Sequence, residues 1–316
     1  MHSQLRITSA LLGALICLLY AVAPAAIAEV REQDFLGWPA LVLADEQVEA
    51  VLVPEIGRLV AFGPRGVAAA GEGNRLWLSP DFFPRPADMP PAVDKEGKRI
   101  WRNYGGFKVW PHPWTGWPPD AALDGGATIV TRLNEGIRLQ TQRSEALDVE
   151  VSMLFKLDQE QRLHIHISMD GSVERAIWPV VQVPGAGHVL APLDPAQALD
   201  KQVTSPHVDG DKLATVLTAV GDDGLHTSRH AATHRKFDLR SQGGWMAHLG
   251  PQGNLRLRWP YPHPDLSKHP YDGSFYFNDS NEPARQYLEL ECYSPRRSGE
   301  HSWNIILDLA EDLALP

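Results

Sequence analysis

Glu289 and Glu291 stand two apart in the run Tyr287-Leu288-Glu289-Leu290-Glu291-Cys292-Tyr293, whose other residues are apolar or aromatic. On an extended chain both carboxylates point to one face. That face is either the wall of a site or, on an edge strand, solvent. Lys108 and Trp110 have the same spacing, with Phe107 and Val109 between them suited to a core. They belong to a stretch, residues 80–120, that holds nine prolines together with Trp101, Trp110, Trp114 and Trp117. Proline removes ladder donors, so most of this stretch is expected outside central sheet. Long ordered loops carrying rigid aromatics commonly serve function. Indole faces can lie on the C–H faces of sugar rings while carboxylates and amides take the hydroxyls. The alternative is that these tryptophans plug the core beneath the loop.

The histidines offer less. His226, His230 and His234 would align on a helix at a spacing that can ligate zinc. Their window is short, polar and without acidic partners, so a solvated basic surface is expected and no metal site is assigned. His164 and His166 share one face of an alternating run and are read as solvent-facing. His112 and His263 sit between prolines in aromatic loops. No glycine-rich phosphate cradle sits between a strand and a helix, and there is no G-x-S-x-G elbow. Carboxylate spacing in sequence does not define a glycosidase pair. No cofactor is implied.

The elements that must position these residues read as strands. Period-two runs cover 48–53, 58–62, 129–133, 137–141, 148–157, 163–169 and 176–183. They continue over 213–220, 245–249, 255–259, 275–277, 287–293 and 302–309. Asn134-Glu135-Gly136 is a hairpin signal between two of them. Many strands at short spacing, with no linker and no fixed repeat, predict one all-β domain of two large stacked sheets over residues 29–316.

Residues 1–28 stand apart. Arg6 is the only formal charge before Glu29, residues 10–23 are uncharged and apolar, and Ala26-Ile27-Ala28 forms an A-x-A processing pattern. This is the layout of a cleaved signal peptide, with cleavage expected after Ala28, and the chain is expected in the periplasm or secreted. No later stretch is suited to membrane insertion. The full chain has 316 residues and a net charge of −10; without the leader it carries −11. That balance argues against a nucleic-acid partner, which needs a basic face. The leader also takes Cys17 and leaves Cys292 alone, so no internal disulfide forms; Cys292 is expected as a small buried hydrophobe.

Val53-Pro54-Glu55-Ile56-Gly57-Arg58-Leu59, followed by Asn74-Arg75-Leu76-Trp77, resembles the opening hairpin of the galactose mutarotase-like superfamily. Asn103-Tyr104-Gly105-Gly106-Phe107-Lys108-Val109-Trp110-Pro111 is more specific. With Gly116-Trp117-Pro118-Pro119-Asp120 and Leu123-Asp124-Gly125-Gly126, it resembles the N-Y-G-G-x-K-x-W-P motif of an exported bacterial family allied to that superfamily. The run 287–295, then Ser298-Gly299-Glu300, resembles that family's closing strands. The resemblance implies a β-supersandwich with a cleft for a mono- or oligosaccharide. In the superfamily's aldose 1-epimerases a carboxylate takes the anomeric proton and a histidine protonates the ring oxygen. Glu291 falls at the position of the base, in an L-x-L-E pattern. Trp178 falls where the histidine stands, and an indole cannot serve as that acid. His112 and His263 are the candidate replacements. The binding set this implies is Lys108, Trp110, Trp117, Asp120, Asp124, Trp178, Gln182, Trp245 and Glu289. Phe107 stands where the motif usually has Asp. Three readings remain: an exported carbohydrate-binding or carbohydrate-active protein, an epimerase-like, lyase or hydrolase enzyme, and a non-catalytic envelope interaction protein.

Overall fold

The computed structural model describes residues 28–90, 92–113, 116, 118–205, 217–220, 225–229, 235–263 and 271–313. The chain opens with β1 (Glu29–Phe35), β2 (Trp38–Ala44), β3 (Val48–Val53) and β4 (Arg58–Pro64). A long loop leads to β5 (Phe107–His112), and β6 (Ile129–Leu133) and β7 (Gly136–Gln140) form the hairpin that Asn134 and Glu135 turn. Then come β8 (Val149–Leu157), β9 (Leu163–Gly171), β10 (Ala176–Pro184) and β11 (His188–Pro192). The short β12 (Val203–Thr204) precedes β13 (Leu217–Val220), β14 (Leu225–Arg229) and β15 (Arg235–Leu239). The last five are β16 (Trp245–Gly250), β17 (Gly253–Arg258), β18 (Gly273–Asn278), β19 (Tyr287–Cys292) and β20 (His301–Asp308).

They form two ten-stranded sheets whose pairings are antiparallel. The first runs β1-β2-β3-β4-β5-β10-β19-β18-β15-β12, and the second β13-β14-β11-β16-β17-β20-β9-β8-β7-β6. The all-β sandwich expected from the alternation is therefore the fold. The alternating apolar residues of both sheets, such as Phe107, Val181, Leu290 and Phe275 facing Phe155, Ile165 and Leu257, make one core between the layers. Burying apolar area there contributes about 25 cal/mol per Å².

β3 and β4 are buried on both faces. Ala50, Leu52, Leu59 and Phe62 point into the main core, whereas Val51, Val53, Val60 and Ala61 join a second cluster with Trp38, Phe83 and Tyr104. The proline-rich loop supplies Phe83 and Tyr104 to that cluster, so part of its aromatic content is indeed core. The loop enters β5 through Gly105 and Gly106, at φ of 89° and 75°. A Cβ on Gly106 would stand 2.3 Å from the Leu59 carbonyl oxygen, so only glycine lets the chain cross β4 this closely.

β19 lies between β10 and β18. Glu289 and Glu291 therefore sit in the interior of a sheet, not on an edge strand, and both are buried. Cys292 faces the core with no exposure.

Candidate active site on the first sheet

Five neighbouring strands, β5, β10, β19, β18 and β15, keep apolar residues on the core face and place polar and aromatic residues on the other. Their register sets these outward residues in rows. Lys108 lies opposite Val180, Val180 opposite Glu291, Glu291 opposite Ser274, and Ser274 opposite Asp238. In the next row Gln182 lies opposite Glu289, Glu289 opposite Tyr276, and Tyr276 opposite Lys236. Trp110 lies opposite Trp178. Over these rows is a cavity of about 550 Å³. Lys108, Trp110, Trp178, Glu289 and Glu291 line it, joined by Lys236, Tyr276 and Asn278 across the sheet and by Trp101, Asn103 and Tyr287 at its rim.

Glu291 is the most heavily held carboxylate. Its Oε2 accepts from the Trp178 indole at 2.6 Å, the Lys236 ammonium at 2.7 Å and the Ser274 hydroxyl at 2.9 Å. The Tyr293 hydroxyl stands at 3.4 Å. Its Oε1 is buried and has no hydrogen-bond partner among the described residues. Burial works against the charge on Lys236, but Glu291 and Tyr293 more than offset it and hold the ammonium well above its ordinary pKa. Lys236 also lies 4.4 Å from the Trp178 ring centroid.

The second carboxylate is held differently. Glu289 Oε1 accepts from the Gln182 amide at 2.8 Å and lies 3.6 Å from the Lys108 ammonium. Burial pushes Glu289 up, opposed by Lys108, and burial pushes Lys108 down, opposed by Glu289. Both shifts favour the neutral forms, as expected for a desolvated pair at this separation. Lys108 lies 4.0 Å from the Trp110 ring centroid.

Asp124 organises the wall from behind. It is fully buried, pairs with Arg58, and its Oδ2 accepts from the indoles of Trp101 at 2.8 Å and Trp110 at 2.6 Å. Asp124 thus fixes two cavity tryptophans without lining the cavity. Asp120 does not line it either: it receives the Ala122 amide at 2.7 Å and the Ser144 hydroxyl, and so shapes its own loop. Gln182 is wholly buried and orients Glu289.

Other expected residues fall elsewhere. Trp245 is on β16 of the second sheet, where the Arg256 guanidinium lies 5.9 Å from its ring. It is separated from the cavity by the core. His112 packs edge-on against Trp178 at 5.6 Å and beside Tyr293 at 5.0 Å, and it does not line the cavity. His263 is buried against the Tyr293 carbonyl at 2.9 Å. Trp117, His230 and His234 lie outside the described residues. His226 lies on a strand, β14, which removes the helical alignment imagined for the three. His164 and His166 face outward from the second sheet, along a broad groove of about 990 Å³. Among the described residues no group of three or more His, Cys, Asp or Glu is disposed to hold a metal ion, and no helix is long and apolar enough to cross a membrane.

Lys236 is the chief residue that motif reading missed. It follows the histidine run in Arg235-Lys236-Phe237-Asp238-Leu239, which was read as basic surface. Its signal was the alternation of Phe237 and Leu239, both core, with Lys236 and Asp238.

No family model matches the chain, and no curated protein does. Solved structures do. The YeaD protein of Salmonella typhimurium, described as a candidate mutarotase, superposes with a TM-score of 0.53 at 13% identity. The match covers 93% of this chain and 98% of that one. HI1317 superposes with a TM-score of 0.52 at 13% identity, over 89% and 96% of the two chains. A galactose mutarotase-like protein from Clostridium acetobutylicum gives 0.47 at 8% identity, over 89% and 99%. The first two likenesses show the fold alone, a mutarotase-like β-sandwich.

Proposed function

We propose that the chain is an exported carbohydrate-binding or carbohydrate-active protein whose saccharide cleft is the cavity over β5, β10, β19, β18 and β15. One observation carries this reading: Glu291, which lines the cavity, has one oxygen saturated by Trp178, Lys236 and Ser274 and the other buried and unpartnered among the described residues. Leaving a buried acceptor unmade costs about 1–3 kcal/mol, more for a charged group. A ligand hydroxyl donating to Oε1 removes that cost through a charge-assisted bond. Trp101, Trp110 and Tyr287 supply apolar surface for a sugar ring, and a cavity of this size suits a small ligand. The fold shared with the YeaD protein, described as a candidate mutarotase, agrees with a saccharide as the partner.

The chemistry at the site is narrower than in an aldose epimerase. Glu291 can accept a proton from a bound hydroxyl. No histidine lines the described cavity, and the group at the expected position, Trp178, is already donating to Glu291. We therefore expect no appreciable acceleration of glucose or galactose mutarotation, checked by polarimetry. A rate comparable to that of an aldose epimerase would show that another group supplies the acid.

A thermal-shift panel of mono- and oligosaccharides tests the binding reading. Stabilisation by at least one sugar, lost in Glu291→Gln, is the expected outcome. A folded protein that responds to none favours an interaction role for the aromatic loop. NMR of the bound sugar then distinguishes binding from turnover.

A further inference from the structure

We infer that the cleft takes a neutral polyhydroxylated sugar and rejects sugar acids and sugar phosphates. The inference rests on the carbohydrate reading above and adds the charge class of the ligand. Two lysines line the cavity, and each already has an acidic partner. Lys236 stands 2.7 Å from Glu291, and Lys108 stands 3.6 Å from Glu289. The aromatic faces next to them are already covered by the same two amines, Lys108 at 4.0 Å from Trp110 and Lys236 at 4.4 Å from Trp178.

The groups around the cavity add no spare positive charge. Arg58 is locked to Asp124 with both side chains almost wholly buried. Asp238, on the same face of β15 as Lys236, brings one more carboxylate. Burial, against the pull of Lys236 and with the push of Glu291, raises it to about 6, so it is ionised at neutral pH. Acidic side chains therefore outnumber basic ones around this cavity. An entering carboxylate or phosphate meets no unpaired cation among the described residues and faces the carboxyl group of Glu291, which has an oxygen still unpartnered.

The unmet hydrogen-bonding demand has the same sign. Glu291 Oε1 and the Asn103 side-chain oxygen, both at the cavity, are buried acceptors without partners among the described residues. A ligand that satisfies them must bring donors. Hydroxyl groups do so without adding charge, whereas the ionised group of a sugar acid or phosphate brings only acceptors. A cationic ligand would have to share the aromatic walls with the two resident lysines.

The test is isothermal titration of the wild-type protein with matched pairs: glucose against glucuronate and glucose 6-phosphate, galactose against galacturonate, and a disaccharide with its uronate-containing counterpart. The expected result is that the neutral member of a pair binds at least about tenfold more tightly, and that its affinity does not change between low and high salt. In Glu291→Gln, which frees Lys236, the neutral sugar loses affinity and the preference narrows or reverses. Circular dichroism checks that this variant folds; if it does not, the salt series on wild type decides. A uronate or sugar phosphate that binds as tightly as its neutral partner overturns this inference and leaves the carbohydrate reading standing. Failure of every sugar, neutral or charged, overturns both.

Discussion

Asp124 and Arg58 are each about 1% exposed or less, and the pair connects the wall of the site to the stability of the fold. Replacing Asp124 with Asn leaves the Arg58 cation buried without its counter-charge and weakens the anchor for Trp101 and Trp110. Breaking a buried pair this way costs about 3–5 kcal/mol. Urea unfolding of Asp124→Asn should show that loss, and sugar affinity should fall with it. An unchanged midpoint would mean that the two charges are not coupled. At this scale the sequence was partly legible. The spacing of Lys108 and Trp110, with Phe107 and Val109 between, placed the first two on one outward face, where they are found. Glu289 and Glu291 followed from the same period of two. Asp124 was expected to touch ligand, yet it works from behind, because a loop aspartate gives no sign of its partner 66 residues away. Lys236 was missed since a charged window looks the same whether its alternation faces solvent or a cleft.

Strands were readable to within a residue or two where alternation was clean, as at Leu163–Gly171. β1, β2, β11, β12, β14 and β15 were not identified. Most of β2 is buried, so its sequence shows a continuous apolar run in place of alternation. Strand order was not legible at all: β10 lies between β5 and β19, far apart in sequence, and that insertion is what brings Trp178 to Glu291. The second sheet offers a test of its own. His248 on β16 is buried, its Nε2 lies 3.0 Å from the Ala186 carbonyl, and burial lowers its pKa to about 4. The unfolded chain binds this proton near pH 6.5, before the folded one does. The contribution of the neutral ring is therefore complete above pH 6.5 and is lost as pH falls toward 4. His248→Gln has no such titration. Relative to that variant, wild type should lose roughly 2 kcal/mol between pH 7 and pH 5 by chemical denaturation. A constant difference between the two proteins would show that His248 titrates normally.

For the molecule as a whole, alternation over most of the chain announced a two-layer β-sandwich, and the burial pattern of both sheets follows it. Export is a proposal at this scale. β1 begins at Glu29 and pairs along its length with β2, so a chain cleaved after Ala28 keeps its first strand. Mass spectrometry of the envelope or secreted fraction should find a mature N-terminus at Glu29; a membrane-held form retaining Met1 would contradict cleavage. Each sheet presents an outward face with a cavity, and the larger one lies beside His164 and His166 on the second sheet. Size alone would favour that groove. The unpartnered oxygen of Glu291 favours the smaller one, because a buried charge with an unmet bond is a stronger demand for a ligand than open volume.

A crystal structure of the protein soaked with the sugar that most stabilises it tests this central claim most directly. The account predicts the sugar over β10 and β19, with one hydroxyl about 2.5–2.7 Å from Glu291 Oε1 and a ring face against the tryptophans that Asp124 holds. A sugar seated in the groove beside His164 and His166, with Glu291 Oε1 left untouched, would contradict it.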